Sequence, residues 1–445
     1  MVDYIANYYE QVEARPVRAR VEPGYLKKIL KASEFPSRGE KWTDIMADVE
    51  SFVMPGVTHW QHPRFFAYFP AHSSPPAILG DMLASMFNVI GFSWEASPAS
   101  TELEIVVLDQ LARAVGLPDV FLSDGEGGGV IQGSASEGTL VGLLAARTRA
   151  LRFMRRVSPG VSDHELIAKM TIYTSDQAHS SVQKAANIAG LGGNVRLVPT
   201  RGGGAAAEDD GYALNAADLA AAMGEDVAAG LTPVFVNANV GSTNSCAIDP
   251  VVAIGEICRS AKGEQHGEEE AAGGLAPWLH VDAASAYLVD ALSVTPEILK
   301  SKEYRRGQVS DFRDWQVPLG RKFRSLKIWL TMRAFGLDKV RGLVRSQTEL
   351  ARDFDAMVKT DERFEIISPA RFGLVCFRLK ATDAANEELR SRIIASGLSF
   401  FSSTKLGGQT CLRMCVGCPS TNIGHVQELW DALGQTADAV TADGF

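Results

Sequence analysis

Apolar positions along this chain follow two rhythms. Between Thr101 and Ala284, stretches with helical spacing alternate with short, near-continuous apolar runs. The helical spacing predicts helices over residues 102–115, 137–156, 181–191, 216–223 and 250–262. The short runs, at 129–132, 170–173, 195–198, 234–238 and 278–281, read as strands buried on both faces. Such alternation predicts an α/β domain whose mainly parallel sheet carries helices on both sides. Ligands of such sheets sit at the carboxyl ends of the strands. Upstream, 1–13 and 42–52 have amphipathic helical spacing. Downstream of Gly336, 372–379 and 410–416 alternate as strands, with helices at 384–396 and 423–434. The chain thus divides into a helical N-terminal segment (1–76), a large α/β domain (77–336) and a small α+β domain (337–445). Two low-complexity stretches, 202–210 and 263–274, read as surface insertions.

Composition narrows the picture. With 445 residues, 46% of them hydrophobic and 22% charged, the chain can bury a large core and is not a disordered protein. A formal charge of −9 argues against a nucleic-acid partner, which needs a concentrated basic surface. No apolar run has the length of a membrane span, and the first residues lack the basic-then-apolar layout of a secretory signal. Six scattered cysteines fit a reducing compartment, so the expected location is the cytoplasm.

Several stretches carry candidate chemistry. Residues 53–76 gather Met54, Trp60, Phe65, Phe66, Tyr68 and Phe69 among prolines; composition favours a core strap over an aromatic pocket wall. Gly127-Gly128-Gly129-Val130-Ile131-Gln132-Gly133-Ser134-Ala135-Ser136-Glu137 is a glycine-rich run leading into a helix, with Ser134 and Glu137 at capping-box spacing. It is either an ordinary capped helix or an anion cradle, and it is not a P-loop. His179, in Asp176-Gln177-Ala178-His179, follows a strand and is either a helix cap or an active-site ring. Asp282, in His280-Val281-Asp282-Ala283-Ala284, ends another strand, where a carboxylate needs a partner. It is open to metal, ribose, pyridinium or structural roles. Cys411, Cys415 and Cys418 have an iron–sulfur-like spacing, but a rigid strand would hold Cys411 and Cys415 too far apart, so no metal is expected.

Taken together, these stretches resemble a known family. Pro55-Gly56-Val57-Thr58-His59-Trp60, Phe65-Phe66-Ala67-Tyr68-Phe69-Pro70, Gly91-Phe92-Ser93-Trp94, Gly133-Ser134-Ala135-Ser136-Glu137, Ser175-Asp176-Gln177-Ala178-His179-Ser180-Ser181, His280-Val281-Asp282-Ala283-Ala284 and Pro318-Leu319-Gly320-Arg321-Lys322 occur in the order found in group II pyridoxal-phosphate decarboxylases. The resemblance is strongest to the aromatic-L-amino-acid decarboxylases and runs over almost the whole chain. It implies pyridoxal-phosphate fold type I, the aspartate-aminotransferase-like architecture, and a homodimer with sites at the subunit interface. It implies that Ser134, Ala135 and Ser136 hold the cofactor phosphate, that His179 stacks on the pyridine ring, and that Asp282 pairs with the ring nitrogen. Thr243 and Ala284 match further cofactor contacts. Trp60, Tyr68, Phe69 and Pro70, with Ile90 and Phe92 from a partner subunit, match the pocket for an aromatic L-amino acid. Gly320 matches a position where a small residue leaves room for an indole ring.

Three departures accompany the resemblance. The family's Asn-Pro-His-Lys-Trp run, whose lysine forms the Schiff base with the cofactor, has no counterpart. The chain passes from Ala286 directly to Tyr287, roughly 45 residues short, more than a βαβ unit's minimum. Two strands are therefore expected to be missing from the sheet. Lys300, Lys302, Lys322 and Lys327 occupy positions the family already fills, so surface or loop roles are expected of them. Ile298 stands where the family presents a Tyr that delivers a proton, and Ile has none to give; in relatives its loss diverts the reaction toward an aldehyde. Finally, Ala71 and His72 replace a small hydroxyl residue beside the pocket. The resemblance therefore predicts decarboxylation of an aromatic L-amino acid, or a catalytically impaired relative serving as a partner subunit.

Overall fold

The computed structural model describes residues 1–30, 36–69, 71–125, 127–202, 211–264, 275–283, 312, 315–318 and 320–445. Pro70, Ala284, Ile298, Lys300 and Lys302 lie outside the described residues. The chain forms two compact units, one made of 1–73 with 342–445 and the other of 74–341.

In the first unit the N-terminal part contributes α1 (Val2–Gln11), α2 (Tyr25–Leu30) and α3 (Trp42–Asp48). The second unit begins with α4 (Pro75–Phe87) and α5 (Pro98–Ala114). Ser74 and Ser97 cap them, and prolines open both first turns, where a missing N–H costs nothing. Then follow α6 (Ala135–Val157), α7 (Asp163–Ala168), β1 (Met170–Ser175), α8 (Ser181–Ile188), β2 (Val195–Val198), α9 (Ala216–Ala228), β3 (Thr232–Asn239), α10 (Val251–Glu264) and β4 (Trp278–Asp282). The four strands pair in parallel in the order β2-β1-β3-β4. β1 is buried at every position and β3 at all but its first, as the continuous apolar runs require. Met170, Ile172 and Phe235 pack beneath α6 and α8 through Leu143, Ala146, Val182 and Ala185. Tyr173, Val236 and Ala238 face α9 and α10 through Leu219, Met223 and Ile254. The sheet is therefore covered on both faces, as expected.

Residues 129–132, expected as a strand, are not one. The Ile131 N–H donates to the Glu104 carboxylate at 2.8 Å instead of to a neighbouring strand, and the Gln132 amide donates to the Trp315 carbonyl at 2.7 Å. The Glu104 carboxylate from α5 and the Trp315 main-chain carbonyl take the place of a ladder partner here.

The helix α11 (Ser325–Thr360) breaks at Gly336, whose φ of 70° and ψ of 162° suit only glycine. The first unit then closes with β5 (Phe364–Arg371), β6 (Leu374–Leu379), α12 (Asp383–Ser396), β7 (Ser402–Leu406), β8 (Gln409–Cys415) and α13 (Ile423–Ala442). Its antiparallel sheet runs β5-β6-β8-β7. The aromatic strap joins this unit directly. Phe66 N–H donates to the Phe400 carbonyl at 2.8 Å, Cys415 N–H to the Phe66 carbonyl at 2.9 Å, and the Phe66 ring lies in the core with Phe354 and Phe377. Cys411 and Cys418 are buried, their thiols directed at the Phe377 and Gln61 carbonyls respectively. Among the described residues, no helix is long and apolar enough to cross a membrane.

Candidate active site

The second unit places three expected residues along one edge of its sheet. The chain winds from β1 outward to β2, then returns to β3 and β4 on the other side of β1. The connections therefore leave β1 and β3 in opposite directions, which opens a crevice at their carboxyl ends. His179 stands four residues past the end of β1, Thr243 four past the end of β3, and Asp282 is the last residue of β4.

Helix α6 packs on β3 and β4, with Arg149 donating to the Ala276 carbonyl before β4 and Gly142 against His280 near its end, so its N-terminus is directed toward the carboxyl edge of the sheet. Ser134 Oγ accepts the Glu137 N–H at 3.2 Å. The Glu137 carboxylate reaches back to Gly133 N at 2.8 Å, one residue earlier than a capping box would take it. The first-turn amides of Ala135 and Ser136 have no acceptor within the helix, and residues 133–136 are all exposed. A Cβ built on Gly133 would collide with Glu137 Oε2, so a side chain there would displace the carboxylate that braces the helix start. Free amides, hydroxyls and the positive end of a 23-residue helix suit a phosphate dianion.

The His179 ring is exposed, and its Nδ1 accepts the Ser181 N–H at 3.1 Å. That bond fixes the ring's plane and leaves Nε2 on its far side. Asp282 is half-buried at the strand end, where its carbonyl takes the Val240 N–H at 2.8 Å. Two residues deeper on the same face is His280, stacked on Phe235 with centroids 5.5 Å apart. Burial pulls the His280 pKa down, while the Asp282 charge works against that pull.

Polar residues missed by the sequence reading stiffen this edge. The buried Asp249 carboxylate accepts N–H groups from Leu214 at 2.7 Å, and from Asn239 main chain and side chain at 2.6 and 2.9 Å. Burial raises its pKa, and these three donors oppose the rise. Asn237 bonds Thr174 and Asn239. The two asparagines inside the otherwise apolar β3 were the readable signal. Below the cradle, Glu104 and Arg321 form an ion pair with side chains only 2% and 3% exposed. Burial pushes the Glu104 pKa up, and Arg321 draws it back.

The expected pocket residues divide between the units. In the first, Trp60 stacks on Phe65 (4.7 Å between centroids) and on Tyr68 (5.5 Å), and Arg413 lies over Phe69 at 5.5 Å. Phe65 and Phe66 are fully buried, whereas Tyr68 is 48% exposed with a left-handed φ of 59°. The stretch is thus a strap and an aromatic surface at once. In the second unit Ile90 is exposed and Phe92 half-buried, and among the described residues a Cβ built on Gly320 would touch only Ile90, at 4.0 Å. Lys322 is exposed, and Lys327 is tied to Asp81 at 2.6 Å.

A model of the pyridoxal-dependent decarboxylase conserved domain matches residues 23–289 and 286–380. This chain belongs to the pyridoxal-dependent decarboxylase family. It is 40% identical to the phenylacetaldehyde synthase of Arabidopsis thaliana over 98% of this chain and 94% of that protein. It is equally similar to the aromatic-L-amino-acid decarboxylase of Mus musculus, over 99% and 96%. The crystal structure of Oryza sativa TDC with PLP and tryptamine superposes with a TM-score of 0.87 at 36% identity, covering 98% of this chain and 96% of that one. The cofactor is accordingly pyridoxal 5′-phosphate, and the reaction class is that of a carboxy-lyase. The two family matches meet at residues 286–289, the junction where the sequence departs from the resemblance. The aligned stretches, 490 and 487 positions long, exceed the chain's own 445 residues. Between Asp282 and Lys300 the sequence has no lysine.

Proposed function

We propose that this site takes an aromatic L-amino acid and that pyridoxal phosphate is held in it by contacts rather than by a covalent bond to lysine. The observation that carries the reading is the alignment of a free helix N-terminus, His179 and Asp282 at the carboxyl edge of one parallel sheet. When bound, the cofactor supplies an electron sink for the pair released as carboxylate departs. In this reading the Ala135 and Ser136 amides and the Ser134 and Ser136 hydroxyls bind the phosphate. His179 covers one face of the pyridine ring. Asp282 holds a proton at the pyridine nitrogen, and Thr243 and Ala284 complete the contacts. Trp60, Tyr68, Phe69, Pro70, Ile90, Phe92 and Gly320 receive the substrate's ring, with Ile90 and Phe92 supplied by a second copy in a homodimer. The division into 1–76, 77–336 and 337–445 assigns dimer wrapping, cofactor binding and closure to successive parts, and the compartment is the cytoplasm.

The amine and aldehyde outcomes are both represented among relatives by name, and Ile298, which cannot return a proton, favours the aldehyde. A second reading rests on the divided family match and the lysine-free stretch after Asp282. The 445-residue chain then retains the cofactor site but turns over little, acting as a partner of an intact subunit. Supplying the purified chain with pyridoxal phosphate and L-tryptophan, L-tyrosine or L-dopa, and measuring carbon dioxide with product identity, separates the two. Brisk release supports catalysis by this chain. Tight cofactor binding with negligible release supports the impaired relative, and no cofactor binding sinks both.

A further inference from the structure

Loops follow β1, β2 and β3 at the edge of the sheet that carries the site, and a chain of side-chain hydrogen bonds joins these three. Thr200, beyond the end of β2, donates its N–H and hydroxyl to Asp176 Oδ1 at 3.3 and 2.7 Å. Asp176 Oδ1 also accepts from Gln177 Nε2 at 3.3 Å. The other end of the same amide, Gln177 Oε1, accepts from Asn244 Nδ2 at 3.0 Å. Gln177 precedes His179 by two residues, and Asn244 follows Thr243 directly.

The Asn244 side of this link is rigid. Its loop is closed by a bridge between Val240 and Ile248, and both Gly241 and Ser242 donate N–H to the Ala247 carbonyl, at 3.0 and 2.9 Å. Ser242 Oγ bonds Ser245 Oγ at 3.0 Å and accepts the Ala247 N–H at 3.1 Å. Cys246 is held at a left-handed φ of 58°, which a loop tolerates only when its surroundings impose it. The His179 side has its own ties: Asp176 N–H to the Val198 carbonyl, Ala178 N–H to the Ser175 carbonyl, Val182 N–H to the His179 carbonyl and Ser181 N–H to His179 Nδ1. The two loops are thus coupled through the Gln177 amide, whose orientation Asp176 sets.

We propose that Gln177 and Asn244 are positioning residues that hold the His179 ring in register with Thr243 for the pyridine ring between them. The proposal rests on the reading of the site as a pyridoxal-phosphate site. Neither residue contacts the cofactor in this account. They act through His179, so their loss slackens the stacking ring without removing any group that touches the ligand. One hydrogen bond at a half-buried position corresponds to about a 3- to 10-fold change in affinity.

The test is a double-mutant cycle on the full chain with Gln177→Ala, Asn244→Ala and the pair. The readouts are the dissociation constant of pyridoxal phosphate and the circular dichroism induced in the bound cofactor. The proposal expects each single change to weaken binding about 3- to 10-fold and to reduce the induced signal, with the double variant no worse than either single one. Gln177→Glu, which keeps an acceptor for Asn244 but repels Asp176, should fall between wild type and Gln177→Ala. Thermal unfolding without cofactor checks that each variant folds. Unchanged affinity and signal in folded single variants, or losses that simply add, would overturn the proposal. A wild-type chain that fails to bind pyridoxal phosphate overturns the reading of the site instead, and the two failures are read from different proteins.

Discussion

Replacing Glu104 with Leu probes the foundation of the cradle. Glu104 sits on α5 with its side chain 2% exposed, and it holds two groups at once, the Arg321 guanidinium and the Ile131 N–H. Arg321 is itself 3% exposed, donates to Gln316 Oε1 at 3.1 Å, and lies over the Phe312 ring at 4.4 Å. Removing the acid leaves a buried guanidinium with a neutral acceptor and a ring face, at a cost of about 3–5 kcal/mol. The stranded Ile131 amide adds about 1–3 kcal/mol if no water reaches it. Against a typical stability of about 5–15 kcal/mol, Glu104→Leu should leave the second unit marginal. Urea unfolding followed by fluorescence and far-ultraviolet circular dichroism measures the loss. Glu104→Leu combined with Arg321→Met should recover most of it, because an apolar pair of similar volume is close to neutral in such a place. If Glu104→Leu alone costs less than about 1 kcal/mol, the pair behaves like a solvated surface bridge and the reasoning fails.

Other perturbations follow from the same geometry. Gly80→Ala would bring a Cβ within 2.6 Å of the Lys327 Cα, where neither backbone can swing away. The expected loss of about 1–3 kcal/mol outweighs the gain of about 1 kcal/mol in helix propensity, and a stabilised variant would contradict that close approach. Ser134→Ala removes the α6 cap, which should cost about 1 kcal/mol in unfolding experiments and also weaken pyridoxal phosphate, with binding titrations reading the second effect. Burial holds the imidazoles of His62 and His72 down to about 4, against 6.5 for a free side chain. The unfolded chain therefore takes up protons that the folded first unit refuses. Stability from these groups is full above pH 6.5 and is lost as pH falls toward 4. The urea midpoint should drop over that window, less steeply in His72→Gln, and a flat midpoint would count against burial as the cause.

The sequence exposed most of the second unit because its strands are near-continuous apolar runs, so β1 to β4 could be placed within a few residues. β5 and β7 escaped because their burial is partial: Glu365, Pro369 and Arg371 interrupt one, and Ser402, Ser403 and Lys405 the other. The opposite error at 129–132 has a clear origin. The stretch is apolar enough for a strand, but a carboxylate 27 residues earlier takes the amide that a ladder would have used. The alliance of residues 1–73 with the C-terminal part depends on main-chain bonds such as Phe66 to Phe400, which no local pattern announces. The site was legible as motifs, because a glycine-rich helix start, a His after one strand and an Asp ending another are all local features. The network joining them was not. Gln177–Asn244 spans 67 positions and Arg321–Glu104 spans 217, and only the fold brings those pairs together.

The central claim is that cradle, ring face and acid hold pyridoxal phosphate in a chain whose sequence passes from Ala286 to Tyr287 without the family's lysine run. Borohydride reduction of the cofactor-loaded chain, followed by intact and peptide mass spectrometry, tests it most directly. The account predicts saturable binding of the cofactor, release on dialysis, and an unmodified mass after reduction. A stoichiometric adduct on one lysine would contradict it.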